Sequence, residues 1–209
     1  GIPLLAGERV AGDPLVMGGG ICVTMNPEPL ADFFDLFLIG EAEALLPAFL
    51  AALLRRWKEG TGKHELLCGL QKDVPGAYVP ALYETVYSAD GTIAAMSPVL
   101  PSLPRTVGRQ WAEDIQDLDT ETAIMSPDTD FGAMYLAEIS RGCGRGCRFC
   151  AAGHLCRPVR FRRRENLQGA ISRGLAKRKK IGLIGTAVSD HPDLPDICRD
   201  ILARQGRIG

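Results

Sequence analysis

The stretch Ser140–Cys156, SRGCGRGCRFCAAGHLC, holds four of the chain's seven cysteines. Three of them, Cys143, Cys147 and Cys150, are spaced C-x3-C-x2-C, and Cys156 follows at a looser distance. Thiolates are soft ligands, suited to zinc or to iron–sulfur clusters. Three within eight residues can take three corners of a tetrahedral site or of a cubane cluster, leaving one metal corner open. Gly142, Gly144 and Gly146 let the backbone curl round a metal and turn amides toward it. Such amides, with Arg145 and Arg148, would stabilise anionic sulfur and tune its potential.

The flanks place this stretch on a loop between a strand and a helix. Met134–Ile139 is a strand candidate immediately before it. Glu165–Lys180 is predicted helical, with Leu167, Ile171 and Leu175 on one face. Ile181–Val188 is a near-continuous apolar run, as expected of a strand covered on both faces. Asp193–Gln205 is a second helix, with Gly206 as its stop. The chain ends at RQGRIG, where a further strand would begin.

Further out, Leu15–Met17 reads as a short strand turned by Gly18-Gly19-Gly20. Pro27–Phe34 reads as a short helix, Leu36–Ile39 as a strand, and Glu41–Lys58 as a long helix stopped at Gly60. Two successive β-α units argue for a parallel sheet. Residues 61–132 change character. Tyr83–Tyr87 and Thr92–Met96 flank Asp90-Gly91 as a hairpin, and a proline-rich, acidic linker runs on to Asp130.

The bulk numbers narrow the classes. The chain has 209 residues, 46% hydrophobic and 23% charged, with a net charge of -1. That is globular composition with no whole-chain field to recruit nucleic acid or a membrane. No apolar run is long enough to span a bilayer, and no signal segment opens the chain. The expected setting is the cytoplasm, where thiols stay reduced. An odd number of cysteines fits a disulfide framework poorly. Cys22, Cys68 and Cys198 read as small buried hydrophobes. The opening GIPLLAGERV, without an initiating Met, suggests a piece of a longer protein.

SRGCGRGCRFC directly after a strand resembles the cluster loop of radical S-adenosylmethionine enzymes, C-x3-C-x-aromatic-C, with Phe149 as the aromatic. The resemblance implies a four-iron four-sulfur cluster on Cys143, Cys147 and Cys150, with S-adenosylmethionine chelating the fourth iron. It implies reductive cleavage to a 5′-deoxyadenosyl radical, Phe149 near the adenine, and an electron donor such as flavodoxin or ferredoxin. The front, PLVMGGGICVTMNPEPL followed by LFLIGEAE, is similar to the C-terminal half of a cobalamin-binding-type Rossmann domain, with Gly18 and Gly19 at the nucleotide tail. The cobalamin motif D-x-H-x-x-G is missing, and IGTAVSD stands where the family's G-G-E grips the methionine amino group. Ser189 and Asp190 are the candidate replacement acceptors, unless Asp190 caps the following helix.

The fold class expected is therefore α/β in three parts. Residues 1–60 form half of a Rossmann-like domain, 61–132 a hairpin and linker, and 133–209 the first β-α units of a partial β/α, TIM-like barrel. The competing reading is a zinc-binding or degenerate interaction module without catalysis, with Cys156 or His154 as the fourth zinc ligand. The basic run Arg157, Arg160, Arg162, Arg163 and Arg164 could hold an anionic substrate or RNA, or form a solvated face. His191 reads as a loop histidine without a partner, or as a substrate contact.

Overall fold

The computed structural model describes residues 1–209, which divide into two compact units, Gly1–Ala112 and Glu113–Gly209.

In the first unit, β1 (Met17–Gly19) leads into the short helix α1 (Ile21–Met25), and a 3-10 segment Glu28–Phe33 leads to β2 (Leu36–Leu38). Helix α2 (Ala42–Lys58), helix α3 (Lys63–Asp73) and β3 (Ala77–Tyr78) follow. The sheet order is β1-β2-β3, with β1 parallel and β3 antiparallel to β2. β2 is buried throughout, as a central strand covered on both faces must be. Leu45, Phe49 and Ala52 of α2 and Leu66, Leu67 and Leu70 of α3 bury one face each against it. The hairpin β4 (Tyr83–Tyr87) and β5 (Ile93–Pro98) completes the unit.

Several expectations shift here. The first strand runs through the glycines rather than stopping before them, because the register pairs Gly18 with Phe37. A Cβ at Gly18 would lie 2.9 Å from the Phe37 ring, so the strand needs glycine for packing. The segment 27–34 is 3-10, not α. The segment read as hairpin and linker also holds α3 and β3. Gln71 ties these two together, donating to Ala77 O at 2.6 Å and accepting from Val79 N at 2.7 Å. The isolated cysteines are less buried than expected: Cys22 is exposed, and Cys68 and Cys198 are half-buried.

In the second unit, β6 (Met134–Glu138) precedes the cysteine loop, which contains β7 (Ser140–Arg141), α4 (Ala152–Leu155) and β8 (Arg160–Phe161). Helix α5 (Arg164–Lys177), β9 (Lys180–Ile184), helix α6 (Leu194–Ala203) and β10 (Arg207–Ile208) follow. The sheet order is β10-β9-β6 and every pair is parallel, so the strands stand in chain order. Parallel neighbours need a crossover, which α5 and α6 supply. Tyr135, Ile139 and Ile181 alternate toward the helices and pack on Leu167, Ile171, Ile197 and Ile201. The outer edge of β6 is covered by residues 120–122: Thr122 N donates to Leu136 O, and Leu136 N to Thr122 Oγ1. That pairing removes an exposed edge.

The apolar run Ile181–Val188 is not all strand. β9 begins at Lys180 and stops at Ile184, which is exposed, and Val188–Asp190 is a 3-10 turn. Helix α5 is correspondingly shorter than expected, ending at Lys177.

Candidate functional site

The site is built at the carboxyl ends of β6 and β9. The parallel register pairs Glu138 with Ile184, so the loops leaving the two strands start side by side. The loop from β6 is pinched at its neck by the β7–β8 ladder, Ser140 opposite Phe161 and Arg141 opposite Arg160. Ile139 N bonds to Ile184 O and Arg162 N to Ile139 O, fastening that neck to the sheet. Arg141 grips Glu138 through two bonds of 2.8 Å.

Beyond the neck, residues 142–159 carry all four clustered cysteines. Gly142 sits at φ +83°, and a Cβ there would collide with the carbonyls of Cys156 and Pro158. Cys143 is buried and accepts from the backbone N–H of Arg145 at 3.5 Å. Cys147 and Cys150 are half-buried and share a turn, Cys150 N to Cys147 O at 3.1 Å. The His154 ring nitrogen Nε2 lies 3.2 Å from Cys147 O, so it serves the backbone of the loop. None of the seven cysteines is in a disulfide. No three side chains of His, Cys, Asp or Glu type converge on a position for one ion. Phe149 stands at the surface, 93% exposed.

The loop from β9 reaches across to this one. Arg145, between the first two cysteines, makes a two-pronged ion pair with Asp190: Nε to Oδ2 at 2.9 Å, and Nη2 to Oδ1. The Arg145 hydrogen bond holds the Asp190 carboxyl below its ordinary range, with the Ser189 side chain adding a further bond. Asp190 is therefore not a helix cap; α6 starts later, with Asp193 at its N-cap position.

His191 is a buried structural residue. Its Nδ1 accepts from Asp193 N at 3.1 Å, which leaves the proton on Nε2 to bond Arg162 O at 2.8 Å. Phe161 packs on its ring edge to face, 5.2 Å between centroids. Both expectations for this histidine, an unpartnered loop residue and a substrate contact, are thus replaced. The signal was present in HPD, where a histidine two residues before a helix N-cap can take its backbone amide.

The basic run does not form one surface. Arg160 and Arg162 are buried, and Arg164 is committed to Asp200 through two bonds of 2.6 Å. Burial pushes the Arg162 guanidinium down, against the pull of nearby Glu138 and Asp119. A continuous anionic-substrate or RNA track along these five residues is therefore not built. Lys177 lies over the Tyr135 ring at 5.6 Å.

Gly18 and Gly19 fall in β1 of the first unit. The Phe34 and Phe37 rings fill the space over Gly18. The first unit also holds an open cavity of about 860 Å³, lined among others by Arg9, Asp35, Lys63 and Tyr78. Asp35 is buried there, 2.9 Å from Lys63 Nζ and 3.4 Å from Arg9 Nη1.

Comparison with known proteins bears on the first unit most directly. Residues 1–80 match the family described as Radical SAM proteins, N-terminal. Over these residues the first unit is similar in sequence to the N-terminal domain of radical SAM proteins. The chain is also 27% identical over 186 residues to an uncharacterized protein of Methanocaldococcus jannaschii. That alignment covers 88% of this chain and 34% of the relative, so the chain spans about a third of the relative's length. No solved structure matches the chain significantly. No helix is long and apolar enough to cross a membrane.

Proposed function

We propose that the chain contains the cluster-binding portion of a radical S-adenosylmethionine enzyme, with Cys143, Cys147 and Cys150 as the cluster ligands. The observation that carries this is the position of the C-x3-C-x2-C loop: it leaves the carboxyl end of β6, the first of three parallel strands in chain order, in a chain whose first 80 residues match a radical SAM N-terminal family. In this reading the sheet β6-β9-β10 is the start of a partial β/α barrel, whose sites form at the carboxyl ends of the strands.

The donor set fits an iron–sulfur cluster. Three thiols stand on one loop, with a backbone amide on Cys143 and a guanidinium within electrostatic reach of Cys143 and Cys147. A structural zinc would instead need a fourth donor beside the three thiols, and the His154 ring serves the Cys147 carbonyl. Bound and reduced, such a cluster would supply the electron that cleaves S-adenosylmethionine to methionine and a 5′-deoxyadenosyl radical. A small electron carrier such as a flavodoxin or ferredoxin would deliver it.

The protein's own part is positioning. The neck ladder fixes the loop on the sheet. Phe149, exposed beside Cys150, is the residue assigned here to cover an adenine ring. Ser189 donates to Asp190 and keeps its oxygen lone pairs as acceptors for the methionine amino group, with the Asp190 charge behind it. Gly18 is accounted for by its aromatic neighbours, so the reading does not extend to cobalamin.

Anaerobic reconstitution with iron and sulfide tests the ligand set. Cys143→Ala, Cys147→Ala and Cys150→Ala should each lose the cluster, because two thiolates do not hold a cubane. Cys156→Ala should keep it. Equal iron loss from Cys156→Ala and Cys147→Ala would contradict the three-ligand assignment.

A further inference from the structure

We propose that Arg145 and Asp190 form a cross-loop latch that positions the cysteine loop and sets the reduction potential of the group held there. The inference rests on the cluster reading above and adds residues to it that the cysteine motif does not contain.

Arg145 is placed where it can act on both functions at once. Its backbone N–H is the one that meets Cys143 Sγ, and its side chain reaches 45 residues along the chain to the loop after β9. Both prongs of the guanidinium engage the carboxylate, a geometry that fixes direction as well as distance. The pair is half-open to solvent, with side-chain exposures of 60% and 32%. Exposed pairs add little to global stability. Their effect here is local: the fork holds the tip of one loop against the neighbouring one. Asp190 is in turn backed by the Ser189 side chain and by its own amide on Ala187 O. Asp190 caps no helix, and both of its carboxylate oxygens are engaged by Arg145.

The electrostatic consequence has a definite sign. Reduction adds negative charge to a cluster, so a nearby cation raises its potential and a nearby anion lowers it. The intact pair is close to neutral overall. Removing Arg145 takes away a cation within electrostatic reach of Cys143 and Cys147 and leaves the Asp190 carboxylate uncompensated. Removing the Asp190 charge leaves the guanidinium uncompensated.

The test is a spectroelectrochemical titration of the reconstituted chain and its variants, alongside iron and sulfide content. Arg145→Ala should shift the midpoint to lower potential, Asp190→Asn to higher potential, and the double variant should return toward wild type. A pair that merely stiffened the loop would move both single variants the same way. Same-sign shifts, or midpoints equal to wild type in cluster-loaded variants, overturn the latch while leaving the cluster reading intact. A wild-type chain that takes up no cluster overturns the reading beneath it and the latch with it. If Arg145→Ala does not fold, Asp190→Asn decides alone: only an upward shift supports the proposal.

Discussion

Gly142 shows how much of the site depends on a single backbone angle. It stands at φ +83° directly before the first cysteine, with the Pro158 carbonyl 2.5 Å from where a Cβ would be. A left-handed conformation costs an L-residue about 1–2 kcal/mol, and the collision adds to that. Gly142→Ala should therefore lower the melting temperature by several degrees and reduce cluster uptake, while Gly144→Ala, with only a distant contact at 3.9 Å, should be better tolerated. Thermal unfolding of both variants checks this; equal melting temperatures would show that the loop relaxes around the added methyl. That the cysteines, the glycines and Arg145 share one loop was readable because they are neighbours in sequence. The Asp190 partner of Arg145 and the Arg162 partner of His191 were not, since each is set by a segment that only the fold brings near.

Two contacts hold the elements that carry the loop. Helix α5 crosses the sheet at Gly174, where a Cβ would lie 2.6 Å from the Tyr135 ring and 2.7 Å from Ile181. Gly174→Ala should overpack this contact and cost about 1–3 kcal/mol, read from denaturant unfolding; a stabilised protein would mean the helix has room to shift. At the other end of α5, Arg164 and Gln168 both bond Asp200 of α6. These bonds, the Arg164 one first, hold the Asp200 carboxyl down to about 2 from an ordinary 3.8. A depressed carboxyl stabilises the fold above its unfolded value and loses that contribution as pH falls toward the folded value. The wild type should therefore lose stability between about pH 4 and pH 2 in a way that Asp200→Asn does not. Matching acid-unfolding curves would count against this. Element types were largely legible where periodicity was long, as in α2, α5 and α6. β9 was overread because Val188 packs into the same cluster as the strand from a 3-10 turn, so apolarity outlasts the strand. Helix α3 was missed because it is short, carries Gly69 inside it, and draws its stability from the packing of Leu66, Leu67 and Leu70.

At the scale of the molecule, two units each bury their own core, and the first also leaves an apolar stripe uncovered. Leu46, Leu50, Leu54 and Trp57 line the outer side of α2 and are all exposed. Stripes of this kind promote association. Leu50→Glu with Leu54→Glu should reduce self-association in light scattering and leave the melting temperature nearly unchanged, since surface changes fall within about 0.5 kcal/mol. A large drop in melting temperature would mean that the stripe is packed within the fold. The α/β class and the parallel pairing of β6 with β9 followed from strand–helix alternation, whereas the antiparallel β3 did not, because two residues carry no periodicity. The central claim is that three cysteines hold a cluster whose open iron takes S-adenosylmethionine. Electron paramagnetic resonance of the anaerobically reconstituted, dithionite-reduced chain tests it most directly. The expected result is a reduced four-iron four-sulfur signal that changes shape on adding S-adenosylmethionine and is missing from Cys147→Ala. A chain that instead binds one zinc and shows no such signal, or a cluster signal indifferent to S-adenosylmethionine, would contradict the account.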